Sequence, residues 1–296
     1  MLSSNRSGRT TARRAGVVGV LLGALAALAA PVAAQTQPGG IEPTLGGVET
    51  RLGGVEPQPS AVEPPSRVTF TLGAGVRLTP AYFGASSGFA GPTGNFQLHH
   101  IRIGNLEFGD PQAVPLERGF RVAGAARYIQ GRRAADHPEL AGLDRVDLSV
   151  ELGVRVRYVA DTWRVFADVR HGVVGHGGWA GELGGDALWR VGPNLMLTAG
   201  PRAAFGDARF VRTYFGVTEA EAARSDFVAF RPSSGLVSVG AELGLLLRLD
   251  ENWGLTASIE YDRLRRDAER SPITAQGSRH QLGARMVLAR RFDWRF

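Results

Sequence analysis

Residues 146–158, VDLSVELGVRVRY, alternate strictly between apolar and polar side chains. Every second residue from Val146 to Tyr158 is apolar or aromatic, and the residues between them include Asp147 and Arg155. Successive side chains of a strand point to opposite faces. The stretch therefore predicts a β-strand with one oily face and one charged face.

The last residues of the chain, 280–296, repeat this pattern. Phe292, Trp294 and Phe296 fall on the oily face, and Arg290 is its one basic residue. A long arginine stem near a strand end can lie along apolar surface while its charge reaches water. The segment therefore predicts a closing strand that ends on its most apolar face.

The oily faces point outward in our interpretation, as in a membrane barrel. The predicted strands are about 11–14 residues long, enough to cross a membrane when tilted. Turning the charged face to lipid would cost roughly 2–4 kcal/mol for each arginine at the bilayer midplane. Aromatic residues that suit interfacial girdles lie at strand ends: Tyr158, Trp163, Trp189, Trp253, Tyr261 and Trp294.

We expect an all-β, antiparallel transmembrane β-barrel of about 10 strands, since bacterial barrels usually have an even number. The two longest strands form an extracellular hairpin, and folding that hairpin back would make the count about 12. Short turns at 160–161, 192–193 and 250–251 are predicted to be periplasmic. The predicted strands are 68–78, 96–108, 118–130, 146–158, 162–174, 178–191, 194–215, 226–249, 252–264 and 280–296.

The N-terminus, residues 1–34, is predicted to be an export signal. Its arginines precede the apolar run GVVGVLLGALAALAA, and small residues favour cleavage between Ala34 and Gln35. Removing it takes away four arginines and no acid, so the formal charge falls from +6 to +2. The basic precursor is therefore no evidence for a nucleic-acid partner.

Residues 35–66 carry an imperfect seven-residue repeat, PGGIEPT, LGGVETR, LGGVEPQ and PSAVEPP. Glycine and proline in these units oppose a helix. We interpret the segment as a flexible periplasmic linker, and a docking peptide is the alternative. A flexible chain of this length reaches about 30 Å. The predicted domains are thus 1–34, 35–66 and the barrel, 67–296.

The tip of the predicted hairpin, YFGVTEAEAARSD, begins at Tyr214. Thr218 followed by Glu221 matches a capping box and predicts a short helix over 219–224. An ordinary loop cap is the favoured interpretation, and a surface contact or a plug in the lumen is the alternative.

No catalytic or metal-binding pattern is present. The histidines form no H-E-x-x-H motif, there is no G-x-S-x-G elbow and there is no cysteine. Ser233 and Ser234 suit a turn. Asp168 and Glu182 would face the lumen near His171 or His176, and the sequence does not establish that either acid contacts a histidine. The six histidines are His99, His100, His137, His171, His176 and His280. We expect no enzyme and no cofactor.

The lumenal acids and arginines have two interpretations. They pair across the barrel and close it, which we favour, or they line a narrow polar channel. Glycines on the inner face make room for long arginines: Gly153, Gly181, Gly240 and Gly283. Outside the barrel, Arg265, Arg266 and Arg270 either meet lipopolysaccharide phosphates or are simply solvated.

Three segments resemble the MipA/OmpV family of outer-membrane proteins: LTPAYFGASS, YFGVTEAEAARS and YDRLRRDAERSPI, followed by the aromatic final strand. Ala81 and Ala85 depart from the family's usual acid and serine. The positions that match the family motif are Pro80, Tyr82, Gly84, Tyr214, Phe215, Gly216, Val217, Tyr261, Leu264, Asp267, Ser271, Pro272 and Ile273.

The resemblance implies an outer-membrane location in a Gram-negative bacterium. It also implies that Phe292, Trp294 and Phe296 form the signal read by the barrel-assembly machinery. It implies, third, a non-enzymatic scaffold for two murein-remodelling enzymes: a murein hydrolase of the lytic transglycosylase type and a murein synthase. A small-solute or osmotic-stress channel and a surface protein for adhesion or host sensing are the alternatives. The other expected partners are outer-membrane lipids.

Overall fold

The computed structural model describes residues 65–109 and 118–296. The predicted signal segment, its cleavage site and nearly all of the predicted linker lie outside the described residues.

The described chain is dominated by strands. They are β1 Arg67–Pro80, β2 Gly88–Ile103, β3 Leu106–Gly109, β4 Gly119–Ile129, β5 Ser149–Val159, β6 Trp163–Val174, β7 Trp179–Val191, β8 Leu195–Gly206, β9 Gly235–Arg248, β10 Trp253–Leu264 and β11 His280–Arg295. The helices are α1 Ala208–Phe215, α2 Glu219–Ala222, α3 Arg266–Arg270 and α4 Pro272–Gln276, with a 3₁₀ turn at Pro138–Leu140. No helix in these ranges is long and apolar enough to cross a bilayer.

All eleven described strands form one antiparallel sheet in the order β3-β2-β1-β11-β10-β9-β8-β7-β6-β5-β4. The first and last long strands are neighbours, paired from Arg67↔Arg295 to Leu78↔Ala284. The sheet curls, so that the guanidinium of Arg77 in β1 lies 5.4 Å from the ring centre of Tyr128 in β4. The predicted antiparallel barrel class is confirmed.

The two faces of the strands differ as the alternation predicts. Outward residues such as Phe120, Leu282 and Met286 are exposed although they are apolar. Inward residues such as Glu151 and Asp168 are buried although they are charged. A soluble sheet would show the reverse, so this arrangement suits a hydrocarbon solvent outside the sheet.

Aromatic residues mark the short-turn end of the outer face. The ring of Phe292 stacks on Phe70 of β1, with centroids 5.1 Å apart. The Arg290 guanidinium lies 5.4 Å from the Trp253 ring centre and 5.3 Å from that of Phe292. Arg290 on the oily face is thus accommodated by cation–π contacts.

The connections at the two ends of the sheet differ in length. Residues 160–162, 192–194 and 249–252 join strands at one end, where β1 also begins. Residues 81–87, 130–148, 207–234 and 265–279 join them at the other end. We call these four long connections the cap.

Three predicted strands were wrong in their bounds. The predicted strand 96–108 runs through the turn Gly104–Asn105, where Gly104 has φ +56°, and the chain reverses there from β2 into β3. A glycine with positive φ is what a two-residue hairpin loop requires.

The predicted strands 194–215 and 226–249 overrun their real ends. β8 ends at Gly206 and β9 begins at Gly235, so the outer part of the expected hairpin is helical. Asp207 caps α1 by accepting a hydrogen bond from the Phe210 amide at 2.8 Å. N-capping by aspartate favours the helix over a continued strand. The Thr218–Glu221 capping box is present as predicted, and α2 ends at Ala222.

Candidate functional site

The inner wall of the sheet carries a buried carboxylate at Glu151 of β5. Its side chain is fully buried. It accepts hydrogen bonds from Arg127 Nη2 of β4 and Arg170 Nε of β6, each at 2.9 Å. The Nε2 atom of His176 lies 3.1 Å from the same carboxylate. Three strands and the turn after β6 are therefore joined through one acid.

Asp168 of β6 continues this network. It is paired with Arg155 of β5, whose Nε lies 3.0 Å from Oδ2, and with Arg170. Arg170 thus bridges Asp168 and Glu151. The guanidinium of Arg155 lies 4.7 Å from the Phe166 ring centre. Buried charges that are paired in this way avoid the large cost of an isolated buried ion.

A second group of ion pairs lies farther along the same wall. Arg202 Nη2 of β8 donates to Asp186 of β7 at 2.9 Å and to Glu242 of β9 at 3.1 Å. Arg164 of β6 also donates to Asp186, at 2.5 Å. The inner faces of β4 to β9 are thus linked by charge-assisted hydrogen bonds, and we call both groups together the lumenal ion network.

Helix α1 lies across the cap end of this wall. Phe210, Tyr214 and Phe215 are almost fully buried. The Tyr214 hydroxyl donates to Ser149 Oγ of β5 at 2.9 Å. The Phe210 ring is 5.1 Å from that of His176, centre to centre. One side of the helix is therefore attached to β5 and to the turn after β6.

The other side of α1 packs on the far part of the sheet. Its cluster includes Val211 of the helix, Val237 of β9, Leu264 of β10 and Ala268 of α3. In the strand order, β9 and β10 are separated from β5 by three and four intervening strands. The helix therefore bridges opposite parts of the curled sheet. The plug alternative concerned residues 219–224, which follow this helix, and it stays a prediction.

The family-motif serine, Ser271, ties α1 to the connection after β10. Its hydroxyl donates to the carbonyl of Phe215 at 2.7 Å and accepts from the Ile273 amide at 3.2 Å. Ser271, Ile273 and Phe215 have no exposed surface. One buried side chain thus ends one helix and begins another.

Gly84 locks the connection between β1 and β2 onto the same cap. Its φ is +90°, and a Cβ there would lie 2.9 Å from Thr274 Oγ1. Its amide donates to Gln281 Oε1 at 3.1 Å, and its carbonyl accepts from the Ser278 amide at 2.7 Å. Both the backbone conformation and the close approach require glycine at this position.

Tyr82 and Arg132 are buried polar groups of the cap. The Tyr82 hydroxyl donates to Glu139 at 3.0 Å, and burial together with this bond raises the pKa of Tyr82 to about 12. Arg132 Nη1 donates to the Tyr214 carbonyl at 2.8 Å, and burial lowers the pKa of Arg132 to about 10. Arg132 stays charged at neutral pH and holds the C-terminal turn of α1.

Glu221 joins two of the long connections. It accepts from the Thr218 amide at 2.8 Å and from the Asp144 amide at 2.9 Å. Burial alone would raise the pKa of Glu221, but these bonds outweigh it and the pKa is lowered. The capping box therefore also fastens residues 207–234 to residues 130–148.

Nearly all of the positions that match the family motif lie in or beside the cap. They come from segments far apart in the chain, so the sequence alone does not show that they lie together. Tyr261 is the exception: it lies on the outer face, where its hydroxyl is 2.6 Å from His280 Nδ1. Asp267 accepts from the amide and the hydroxyl of Ser233, both at 2.7 Å. The positions in or beside the cap are Pro80, Tyr82, Gly84, Tyr214, Phe215, Gly216, Val217, Leu264, Asp267, Ser271, Pro272 and Ile273.

The residues considered for catalysis do not assemble into a catalytic group. The His171 ring lies tilted against that of Trp179, with ring centres 4.8 Å apart, and His176 is held by Glu151 rather than by Asp168 or Glu182. In the described ranges, no three acidic or histidine side chains are placed to hold a metal ion. Sequence reasoning missed Glu151, Ser149 and Arg170 as partners, because their contacts join different strands.

The aromatic C-terminus remains at the surface. Trp294 and Phe296 are about 70% exposed, at 69% and 71%, and the Phe296 amide donates to the Ser66 carbonyl at 2.9 Å. Their role as an assembly signal stays a prediction.

A curled antiparallel sheet with an apolar outer face and a charged inner face defines an outer-membrane β-barrel protein. The family model described as "MltA-interacting protein MipA" matches residues 72–292. The chain belongs to the MipA family and is located in the outer membrane of a Gram-negative bacterium.

Solved structures that are similar to this chain are outer-membrane proteins. Ail, the attachment invasion locus protein of Yersinia pestis, is 12% identical, with 76% of this chain and 99% of that chain covered and a TM-score of 0.23. The channel DcaP of Acinetobacter baumannii is 10% identical, with 77% and 96% covered and a TM-score of 0.32. OprG from Pseudomonas aeruginosa is 12% identical, with 79% and 99% covered and a TM-score of 0.24. No curated protein matches the chain significantly.

Proposed function

We propose that this outer-membrane barrel is a non-enzymatic scaffold that holds a murein hydrolase, and with it a murein synthase, at the periplasmic side of the membrane. The family's description, an MltA-interacting protein, supports a murein-enzyme partner of the lytic transglycosylase type.

The position of β1 is the observation that carries this proposal. β1 begins at Arg67, opposite Arg295 at the short-turn end of the sheet. Short turns of bacterial barrels face the periplasm. Residues 35–66 therefore join the barrel on the side where murein enzymes work, and a flexible chain of that length reaches about 30 Å.

The inner face supports a scaffold over a solute channel. Glu151, Asp168 and Asp186 are fully buried and paired with arginines of neighbouring strands. Residues Phe210 and Tyr214 of α1 add a packed apolar layer at the cap end. A solute path would have to open both layers.

Affinity capture from lightly cross-linked envelopes tests the scaffold. The tag is inserted between Ala135 and Asp136, two exposed cap residues, so that the C-terminal strand is untouched. Two variants are compared with the full chain: one lacks residues 37–66, and the other has a glycine-serine segment of equal length in their place. An unrelated barrel serves as the background control.

Enrichment of a murein hydrolase by the full chain, and its loss from both variants, is the expected result. Capture that survives in both variants would move the partner site from the linker to the barrel turns. Recovery of only abundant barrels and the assembly machinery would overturn the scaffold.

A further inference from the structure

A group of arginines lies on the outer face at the cap end, beside β9 and β10. Arg263 lies on the same face of β10 as the exposed residues Ile259 and Tyr261. Arg265 follows the end of β10, Arg266 and Arg270 belong to α3, and Arg279 directly precedes β11. We call Arg263, Arg265, Arg266, Arg270 and Arg279 the arginine rim.

The rim borders a surface cavity. Leu236 and Val239 of β9 form its apolar side, and Arg265, Arg266 and Arg270 form its basic side, around a volume of about 380 Å³. Glu269 also lines this cavity. Val239 pairs with Arg263 in the sheet, so the cavity opens on the outer face rather than on the lumen. An apolar floor under guanidinium groups suits an anionic amphiphile.

The acids beside the rim are held by Ser233 and by two of the rim's own arginines, Arg263 and Arg279. Glu269 accepts from Arg279 at 3.0 Å and from Arg263 at 3.4 Å. Asp267 accepts two hydrogen bonds from Ser233, and its distance to Arg270 is 4.0 Å.

Arg265 and Arg266 therefore remain open to an external anion. Within residues 65–109 and 118–296, neither guanidinium has a hydrogen-bonded or ion-paired side-chain partner. Arg270 is similarly accessible, with 74% of its side chain exposed.

The rim lies at the height of lipid headgroups. Tyr261 suits the membrane interface, and Arg263 and Arg265 follow it by two and four residues toward the cap. A strand rises about 3.3 Å per residue, which places these arginines beyond the aromatic level. Since the cap is the end with long connections, it faces outward and the headgroups belong to the outer leaflet.

We propose that Arg265, Arg266 and Arg270 of the arginine rim bind the phosphate groups of the outer-leaflet glycolipid, lipopolysaccharide, with its acyl chains against Leu236 and Val239. Arginine binds phosphate bidentately through its planar fork. Ser233 holds Asp267, and Arg263 and Arg279 hold Glu269. The guanidinium groups of Arg265, Arg266 and Arg270 are therefore available to phosphate.

The test uses the full-length mature protein in nanodiscs of phosphatidylcholine with a titrated fraction of bisphosphorylated lipid A. The first variant is Arg265→Gln/Arg266→Gln/Arg270→Gln. We expect lipid A binding, measured by native mass spectrometry, to weaken by about tenfold or more, because each charge-assisted contact is worth roughly a factor of ten. The matched control, Arg118→Gln/Arg190→Gln/Arg295→Gln, removes the same charge at the short-turn end and should bind normally.

Arg266→Gly is the second variant, because Arg266 has φ +52° and glycine adopts that conformation without strain. It removes one guanidinium while favouring the native backbone, so weaker binding by this variant cannot be attributed to misfolding. Equal binding by the wild type, the triple variant and Arg266→Gly would overturn the proposal. Equal binding of dephosphorylated lipid A, or displacement of lipid A by millimolar inorganic phosphate alone, would also overturn it.

Discussion

Replacement of Ser271 by alanine should loosen the cap while leaving the strands paired. The change removes the donor to the Phe215 carbonyl and the cap of the helix that begins at Pro272, both at buried positions. An unsatisfied buried carbonyl costs about 1–3 kcal/mol, and a lost serine N-cap costs about 1 kcal/mol. The cap should therefore lose about 2–4 kcal/mol of local stability.

Hydrogen exchange followed by mass spectrometry measures this loss in nanodiscs. A loss of 2–4 kcal/mol corresponds to exchange that is faster by roughly thirtyfold to several hundredfold. The effect should appear in residues 208–216 and 266–276 and not in β5 or β6. Ser278→Ala is the matched control, because Ser278 lies in the same connection and its hydroxyl bonds are exposed. Unchanged exchange in Ser271→Ala would refute the reasoning that this hydroxyl holds the cap.

Three further changes test other parts of the molecule. Glu151→Gln should lower the free energy of unfolding by about 3–5 kcal/mol in urea titrations, because it removes the buried charge that Arg127 and Arg170 share and leaves Arg155 and Arg170 to share Asp168. Glu251→Gln, in an exposed turn, should change the free energy of unfolding little, and equal losses in the two variants would contradict a stabilising role of the lumenal ion network. Deletion of Phe296 should reduce the assembled fraction of heat-modifiable barrel in membranes, whereas Phe120→Ala, another exposed aromatic, should not; equal yields would remove the assembly role. The pKa of Tyr82 is raised from 10.0 to about 12. The stability that its protonated hydroxyl contributes to the folded state is therefore complete below pH 10 and is lost as pH rises toward 12. Tyr82→Phe should flatten that part of the pH-stability profile, and an unchanged slope would show that Tyr82 does not cause it.

The alternation of side chains was sufficient to predict the sheet. Strand side chains point alternately to the two faces of a sheet. The apolar residues Val150, Leu152 and Val154 therefore indicate the outer, lipid-facing side, and Glu151 and Arg155 indicate the inner side. Turns at 160–161, 192–193 and 250–251 were equally clear from their polar and glycine residues. These features depend on neighbouring residues in the chain.

The cap and the ion network depend on contacts between distant residues. Ser271 meets Phe215 across 56 positions, and Tyr214 meets Ser149 across 65. Alternation continues past Gly206, so it could not show that Asp207 starts a helix. Most of the positions that match the family motif lie in or beside the cap, where they join the connections at one end of the barrel.

The most direct measurement is a planar bilayer recording of the purified mature protein. It tests whether the lumen is closed, as we infer for a barrel that acts as a scaffold rather than as a solute channel. We expect no stable single-channel steps, because the lumenal ion network and α1 fill the path. A variant in which residues 207–234 are replaced by a short glycine-serine loop tests whether α1 contributes to closure and should show openings. Stable, reproducible steps from the wild-type protein would contradict the closed barrel and favour a solute channel.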